Sequence, residues 1–239
     1  MAQATSVLRG TRPPAGGRPA GAMPERDVYL TRHGARIDKE DHAWLRKAGH
    51  NRRDDPHLSE GGLTGAAELA AKMKEVHAEA PISHIVSSPF VRCVQTARPV
   101  AEALGLQIKV EPGICEVLTT FPPGFLDTAR LAEDFEAVDT SYEPVVARER
   151  LSAEYGDGQA ARRASRAATA VRERLDGRVL FVGHGASCLG IAEAFGGSDY
   201  IGYTSLTHFT QEGGGWRVVG TFGDVSHLSD QRTALASAF

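Results

Sequence analysis

Two short segments each set a histidine among groups that bind oxyanions. Arg32-His33-Gly34-Ala35-Arg36 flanks one imidazole with two guanidiniums, and Gly183-His184-Gly185-Ala186-Ser187 sets a second between glycines. A third segment, Ser87-Ser88-Pro89-Phe90-Val91-Arg92, adds another arginine. Guanidinium groups hold phosphoryl oxygens through paired hydrogen bonds, and a helix N-terminus adds backbone donors. Three arginines and two histidines therefore suit a phosphoryl group. Like charge disfavours the protonated form of a histidine held among arginines, so its imidazole stays neutral and nucleophilic near neutral pH. Attack by His33 on phosphorus would give a phosphohistidine, splitting one hard displacement into two easier ones. The arginines and the second histidine, His184, would hold the charge on the transferring oxygens. An alkoxide leaving group also needs a proton. Glu116, in Val110-Glu111-Pro112-Gly113-Ile114-Cys115-Glu116, is the best-placed carboxylic acid, with Glu111 as the alternative. Gly34 and Gly185 let backbone come close to a ligand.

The elements that must position these groups alternate along the chain. Asp27–Thr31, Ile82–Ser87, Leu106–Val110 and Arg178–Val182 read as strands, and Leu63–Ala80, Pro89–Leu104, Ala160–Leu175 and Ser187–Phe195 as helices. Residues 111–158 are irregular, rich in Pro and acid, with a short helix expected near Leu131–Val138. Tyr203–Thr210 and Trp216–Phe222 are two further strands, either extending a sheet edge or pairing as a hairpin through Gly213-Gly214-Gly215. Helices between strands imply crossover connections, so the expected fold class is α/β: a three-layer α/β/α sandwich with a mostly parallel sheet. In such sheets ligands bind beyond the carboxyl ends of the strands, which is where His33, Arg92 and His184 fall.

Composition sets the frame. The 239 residues, 41% hydrophobic and 24% charged, suffice for one large domain without disulfide or metal staples. A net charge of −3 without a basic cluster in the body disfavours nucleic acid as a partner. No apolar run reaches the roughly 18–20 residues of a membrane helix, so no membrane partner is expected. Cys93, Cys115 and Cys188 are an odd, widely spaced set and read as free thiols in a reducing, cytoplasmic setting. Residues 1–24 hold Arg9, Arg12 and Arg18, no acid and repeated Pro and Gly. They read as a disordered tail before a domain at 25–239, an organelle-targeting leader being the alternative. The remaining histidines (His42, His50, His57, His77, His84, His208 and His227) form no metal-spaced set with Cys or acid, so neither metal nor cofactor is expected.

Taken in order, Arg32-His33-Gly34, Ser88-Pro89…Arg92-Cys93-Val94-Gln95-Thr96-Ala97, the Glu116 segment and Gly183-His184-Gly185 resemble the histidine phosphatase (phosphoglycerate-mutase-like) superfamily over residues 27–228. Arg36 and Val110-Glu111-Pro112-Gly113 look most like its suppressor-of-T-cell-receptor-signalling and ecdysteroid-phosphate phosphatase subgroup. The resemblance implies that His33 is the phosphorylated nucleophile, that Arg32, Arg92, His184 and Arg36 bind phosphate, and that Glu116 is the acid/base. Asp55-Pro56-x-Leu58-Ser59-x-x-Gly62 resembles a family loop, but Gly65 stands where the family has Gln, and Ala35 where an acid is usual. Gly185 stands where the acid-phosphatase branch carries its proton-donating Asp.

Rival chemistries lack parts. Gly185-Ala186-Ser187-Cys188-Leu189 misses the last glycine of a serine-hydrolase elbow. Cys93 has no arginine six positions on, and no Walker A sequence occurs. The expected activity is phosphomonoester hydrolysis through phosphohistidine, with a phosphorylated small molecule or phosphopeptide as substrate. The alternatives are a mutase-type phosphotransferase, disfavoured because Phe121–Glu143 holds one basic residue, Arg130, and a non-catalytic phospholigand-binding regulator using the same pocket. Substrate identity and oligomeric state are not encoded in the pattern.

Overall fold

The computed structural model describes residues 26–47, 54–199 and 201–236. The expected tail, residues 1–24, and His50 lie outside them. In chain order the elements are β1 (Val28–Arg32), α1 (Ile37–Glu40), α2 (Trp44–Lys47), α3 (Glu60–Glu79), β2 (Ile82–Ser87), α4 (Val91–Leu104), β3 (Ile108–Val110), α5 (Thr128–Asp134), α6 (Asp157–Arg174), β4 (Arg178–Gly183), α7 (Gly185–Ala194), β5 (Leu206–Glu212), β6 (Gly215–Asp224) and α8 (Gln231–Ala236).

The strands form one six-stranded sheet in the order β3-β2-β4-β1-β5-β6. β3, β2, β4 and β1 are mutually parallel, whereas β5 runs antiparallel to β1, and β6 to β5. Both readings of the last two strands hold together, since the hairpin is also the sheet edge. Gly213 and Gly214, at φ +59° and +86°, form the two-residue turn, a backbone that glycine adopts without penalty.

β4 explains the layering. Its Val179 and Phe181 pack with α6 and α7 through Ala164, Ala167, Val171 and Ile191, while Leu180 and Val182 pack with α3 and α4 through Leu69, Met73, Val94 and Ala97. A strand buried on both faces reads as a continuous apolar run, as Val-Leu-Phe-Val does. Each such large side chain contributes about 1.5–3 kcal/mol by leaving water. No helix among the described residues is long and apolar enough to cross a membrane.

Element ends depart from expectation where side chains cap the backbone. Ser59 accepts from the Gly62 N–H, drawing Glu60, Gly61 and Gly62 into α3. The short helix ends at Asp134, and residues 135–138 turn back so that Val138 bridges β3 at Ile108. β5 begins at Leu206 because Thr204 takes a left-handed φ of +50°, a turn that no strand continues. Pro89 lies before α4, whose first N–H, from Val91, donates to the Asp55 carboxylate at 2.9 and 3.1 Å.

Candidate active site

β2, β4 and β1 are adjacent and parallel, so the chain leaves all three at one edge of the sheet. Backbone hydrogen bonds continue past the strands: the His33 N–H donates to Gly183 O and the Ser88 N–H to Val182 O, each at 3.0 Å. His33, His184 and Arg92 are thereby brought together, all but inaccessible to solvent. The two imidazoles lie edge to face with centroids 5.2 Å apart. His184 caps α7, its own N–H donating to Ser187 Oγ at 2.8 Å, which starts that helix two residues earlier than expected.

The hydrogen bonds assign roles to the ring nitrogens. His33 Nδ1 lies 2.8 Å from Gly34 O, and a carbonyl only accepts, so Nδ1 carries the proton. Nε2 is left with its lone pair and, though buried, has no hydrogen-bond partner. His184 Nε2 lies 2.7 Å from Ser88 Oγ, and its Nδ1 3.4 Å from Glu116 Oε2. Burial first, and then Arg92, hold both imidazoles well below their ordinary pKa of 6.5. Repulsion from the arginines, the cause read from sequence, is thus the second contributor and desolvation the first.

Arg32 stacks over the Tyr203 ring at 4.5 Å, and Tyr203 lies 5.3 Å from the His33 ring. Arg92 lies over Phe90 at 4.5 Å, with Nη1 3.5 Å from Asp55 Oδ1 and Nη2 3.3 Å from Glu116 Oε2. Arg36 pairs with Asp38 at 2.7 Å and lines, with Arg92, Glu116, Asp54 and Thr119, an open cleft of about 470 Å³.

Several of these placements revise the sequence reading. Gly34 is demanded by packing against α3, where a Cβ would meet Gly62 O at 2.6 Å, rather than by room for a ligand. Its N–H is taken by Thr96 Oγ1 at 3.0 Å. At Gly185 a Cβ would sit 3.6 Å from the Arg32 guanidinium, so this glycine does border the cation cluster. Gly65, where the resemblance leads one to expect Gln, faces Thr204: a Cβ there would meet Thr204 Oγ1 at 2.8 Å. Glu111, the alternative proton donor, is wholly buried. Its carboxylate accepts from the N–H groups of Gly113, Val145 and Val146 and from the Tyr142 hydroxyl, so it braces the loop. Tyr203 escaped sequence reasoning, because only the bridge pairing Arg32 with Tyr203, between residues distant in sequence, reveals its place.

One ligand-type atom each from His33, Glu116 and His184 fall within 4.8 Å of one another. By spacing alone they could hold a cation. Arg92 and Arg32 act on both imidazoles as like charges, however, so the cluster suits an anion that guanidiniums would grip. A buried imidazole lone pair beside such an anion is a nucleophile with its target held in place.

Comparison with known proteins accords with this geometry. The model of the histidine phosphatase superfamily (branch 1) matches residues 28–222. The ecdysteroid-phosphate phosphatase of Drosophila melanogaster is 29% identical over 157 residues, covering 54% of this chain and 21% of that protein. Its Bombyx mori counterpart is 36% identical over 112 residues, covering 43% and 17%. The chain thus spans about a fifth of the length of these curated relatives. The crystal structure of the Bombyx mori ecdysone phosphate phosphatase in complex with tungstate superposes with a TM-score of 0.67 at 23% identity, covering 82% of this chain and 92% of that one, a likeness of fold. With nearly the whole sheet and all four strand-end motifs inside the matched span, the chain belongs to the histidine phosphatase superfamily, branch 1.

Proposed function

We propose that the protein is a phosphomonoester hydrolase working through a phosphohistidine on His33. The observation that carries this reading is the unpartnered Nε2 of a buried, neutral His33 among guanidiniums. Nε2 attacks phosphorus and forms the N–P bond as the ester P–O bond breaks. Glu116 gives its proton to the departing oxygen. Water then attacks the phosphohistidine, Glu116 takes its proton, the N–P bond breaks, and inorganic phosphate leaves with His33 neutral again. Arg32, Arg92, Arg36 and His184 hold the equatorial oxygens throughout.

Hydrolysis is favoured over mutase transfer because Phe121–Glu143, the segment that would grip a second phosphate, carries a single basic residue, Arg130. The substrate is a phosphate ester, small molecule or phosphopeptide, whose alcohol portion enters the cleft lined by Asp54, Val117 and Thr119. Three buried free thiols suit a reducing compartment, and we place the protein in the cytoplasm. Turnover of 4-nitrophenyl phosphate tests the reading. His33→Ala should lower kcat/KM at least about 10³-fold, and hydrolysis at the wild-type rate in that variant would refute it.

A further inference from the structure

Glu116 stands on a stretch, residues 113–118, that belongs to no strand and to no α-helix. Its backbone is held instead by one arginine of α6. Arg163 Nη1 donates to Gly113 O at 2.9 Å and Cys115 O at 3.2 Å, and Nη2 donates to the carbonyl of Glu116 itself at 3.0 Å. The same guanidinium grips both oxygens of Glu154, Nε to Oε1 and Nη2 to Oε2, each at 2.8 Å. Glu154 closes the loop from the other side: its Oε2 accepts from the Leu118 N–H at 3.2 Å and its own N–H donates to Leu118 O at 3.0 Å. Both side chains are nearly buried, 11% and 9% exposed. The Glu116 backbone is therefore pinned before and after its Cα by a planar, five-donor group that lysine cannot imitate.

We propose that Arg163 and Glu154 are positioning residues for Glu116, and that this pair sets how well the protein cleaves esters of weakly acidic alcohols. The inference rests on the phosphohistidine reading above. Protonation of the departing oxygen matters in proportion to its basicity: an alkoxide needs the proton and a nitrophenolate hardly does. A shift of about 1 Å in a reacting group costs about 10²-fold in rate. The nucleophile directly follows β1, and Arg32, Arg36 and Arg92 stand on β1, just before α1 and on α4, none of them bonded to Arg163 or Glu154. Loosening the clamp thus damages leaving-group protonation while sparing attack on phosphorus.

The test compares kcat/KM for n-butyl phosphate and 4-nitrophenyl phosphate in the wild type, Arg163→Lys, Glu154→Gln and Glu116→Gln, with thermal unfolding of each. Both clamp variants should lose about tenfold or more on the butyl ester beyond their loss on the nitrophenyl ester. Adding Arg163→Lys to Glu116→Gln should change that ratio no further. Equal losses on the two esters, or an unchanged ratio, overturn the proposal. Should Arg163→Lys fail to fold, the near-isosteric Glu154→Gln decides. If Glu116→Gln itself leaves the ratio unchanged, the phosphohistidine reading of Glu116 fails; if Glu116→Gln shifts it and the clamp variants do not, only the clamp fails.

Discussion

The two halves of the site are held by different physics. The half proposed to hold the phosphoryl group, with Arg32, His33, Arg92 and His184, grows from the ends of adjacent parallel strands and the helices that follow them. Its backbone is an extension of the sheet's own hydrogen bonding. The half proposed to serve the leaving group, with Glu116, lies in an irregular stretch whose order comes from buried charged side chains reaching into backbone, Arg163 and Glu154 on one side and Glu111 on the other. Sheet geometry fixes charge and nucleophile within a dry interior, where electrostatic preorganisation is strongest. Tethers fix the acid, and tethers are easier to vary without unfolding the sheet. On the proposed mechanism, the phosphate chemistry and the choice of ester would therefore be separable in this molecule.

The sharpest way to break that contrast is Arg92→Lys. The charge stays, but the fork that reaches Asp55 and Glu116 is lost, so kcat/KM of the folded protein for any ester should fall by about 10³-fold, well beyond what its loss of stability explains. A fall in stability matching the fall in rate would mean that the pocket and the fold are not separable. Glu111→Gln should do the reverse. It turns an amide NH₂ toward backbone donors that now meet a carboxylate, costing about 3 kcal/mol in urea unfolding, while kcat/KM of the folded protein stays within about threefold. Lost activity in folded Glu111→Gln would give that carboxylate a share in the chemistry.

The smallest effect is a pH dependence. His33 is neutral when folded and has its ordinary pKa, near 6.5, when unfolded. Below pH 6.5 the unfolded chain binds a proton that the native protein refuses, so stability falls as pH falls, by about 1.4 kcal/mol per pH unit for this imidazole. Between pH 6.5 and 5.5, where that slope is still developing, the wild type should lose about 1 kcal/mol more than His33→Gln in denaturant titrations. Equal pH slopes for the two would show that the native imidazole takes up the proton.

The same contrast explains what could be read from the chain. Strand-end motifs are local in sequence, so Arg32-His33, Ser88…Arg92 and Gly183-His184 announce both the fold and the phosphoryl half. Tyr203 and Arg163 reach the site through partners more than forty residues away in sequence, and no periodicity encodes such contacts. Sequence ranks Glu116 ahead of Glu111 as the acid but leaves Glu111 as the alternative and says nothing of its bracing role. Only burial, with the hydrogen bonds of Glu111 turned wholly to backbone and Tyr142, tells the brace from the acid. The caps at Ser59 and Asp55 likewise moved helix ends by a few residues without disturbing the layers.

The most direct measurement is to mix the protein with a ³²P-labelled aryl phosphate, quench with denaturant within the first turnovers, and locate the label by proteolysis and mass spectrometry. A phosphohistidine enzyme should carry phosphate that is acid-labile and stable to alkali, on the peptide containing His33, absent in His33→Ala and increased in Glu116→Gln, where water is activated slowly. Label on another residue, or steady hydrolysis with no covalent phosphate at any quench time, would contradict it.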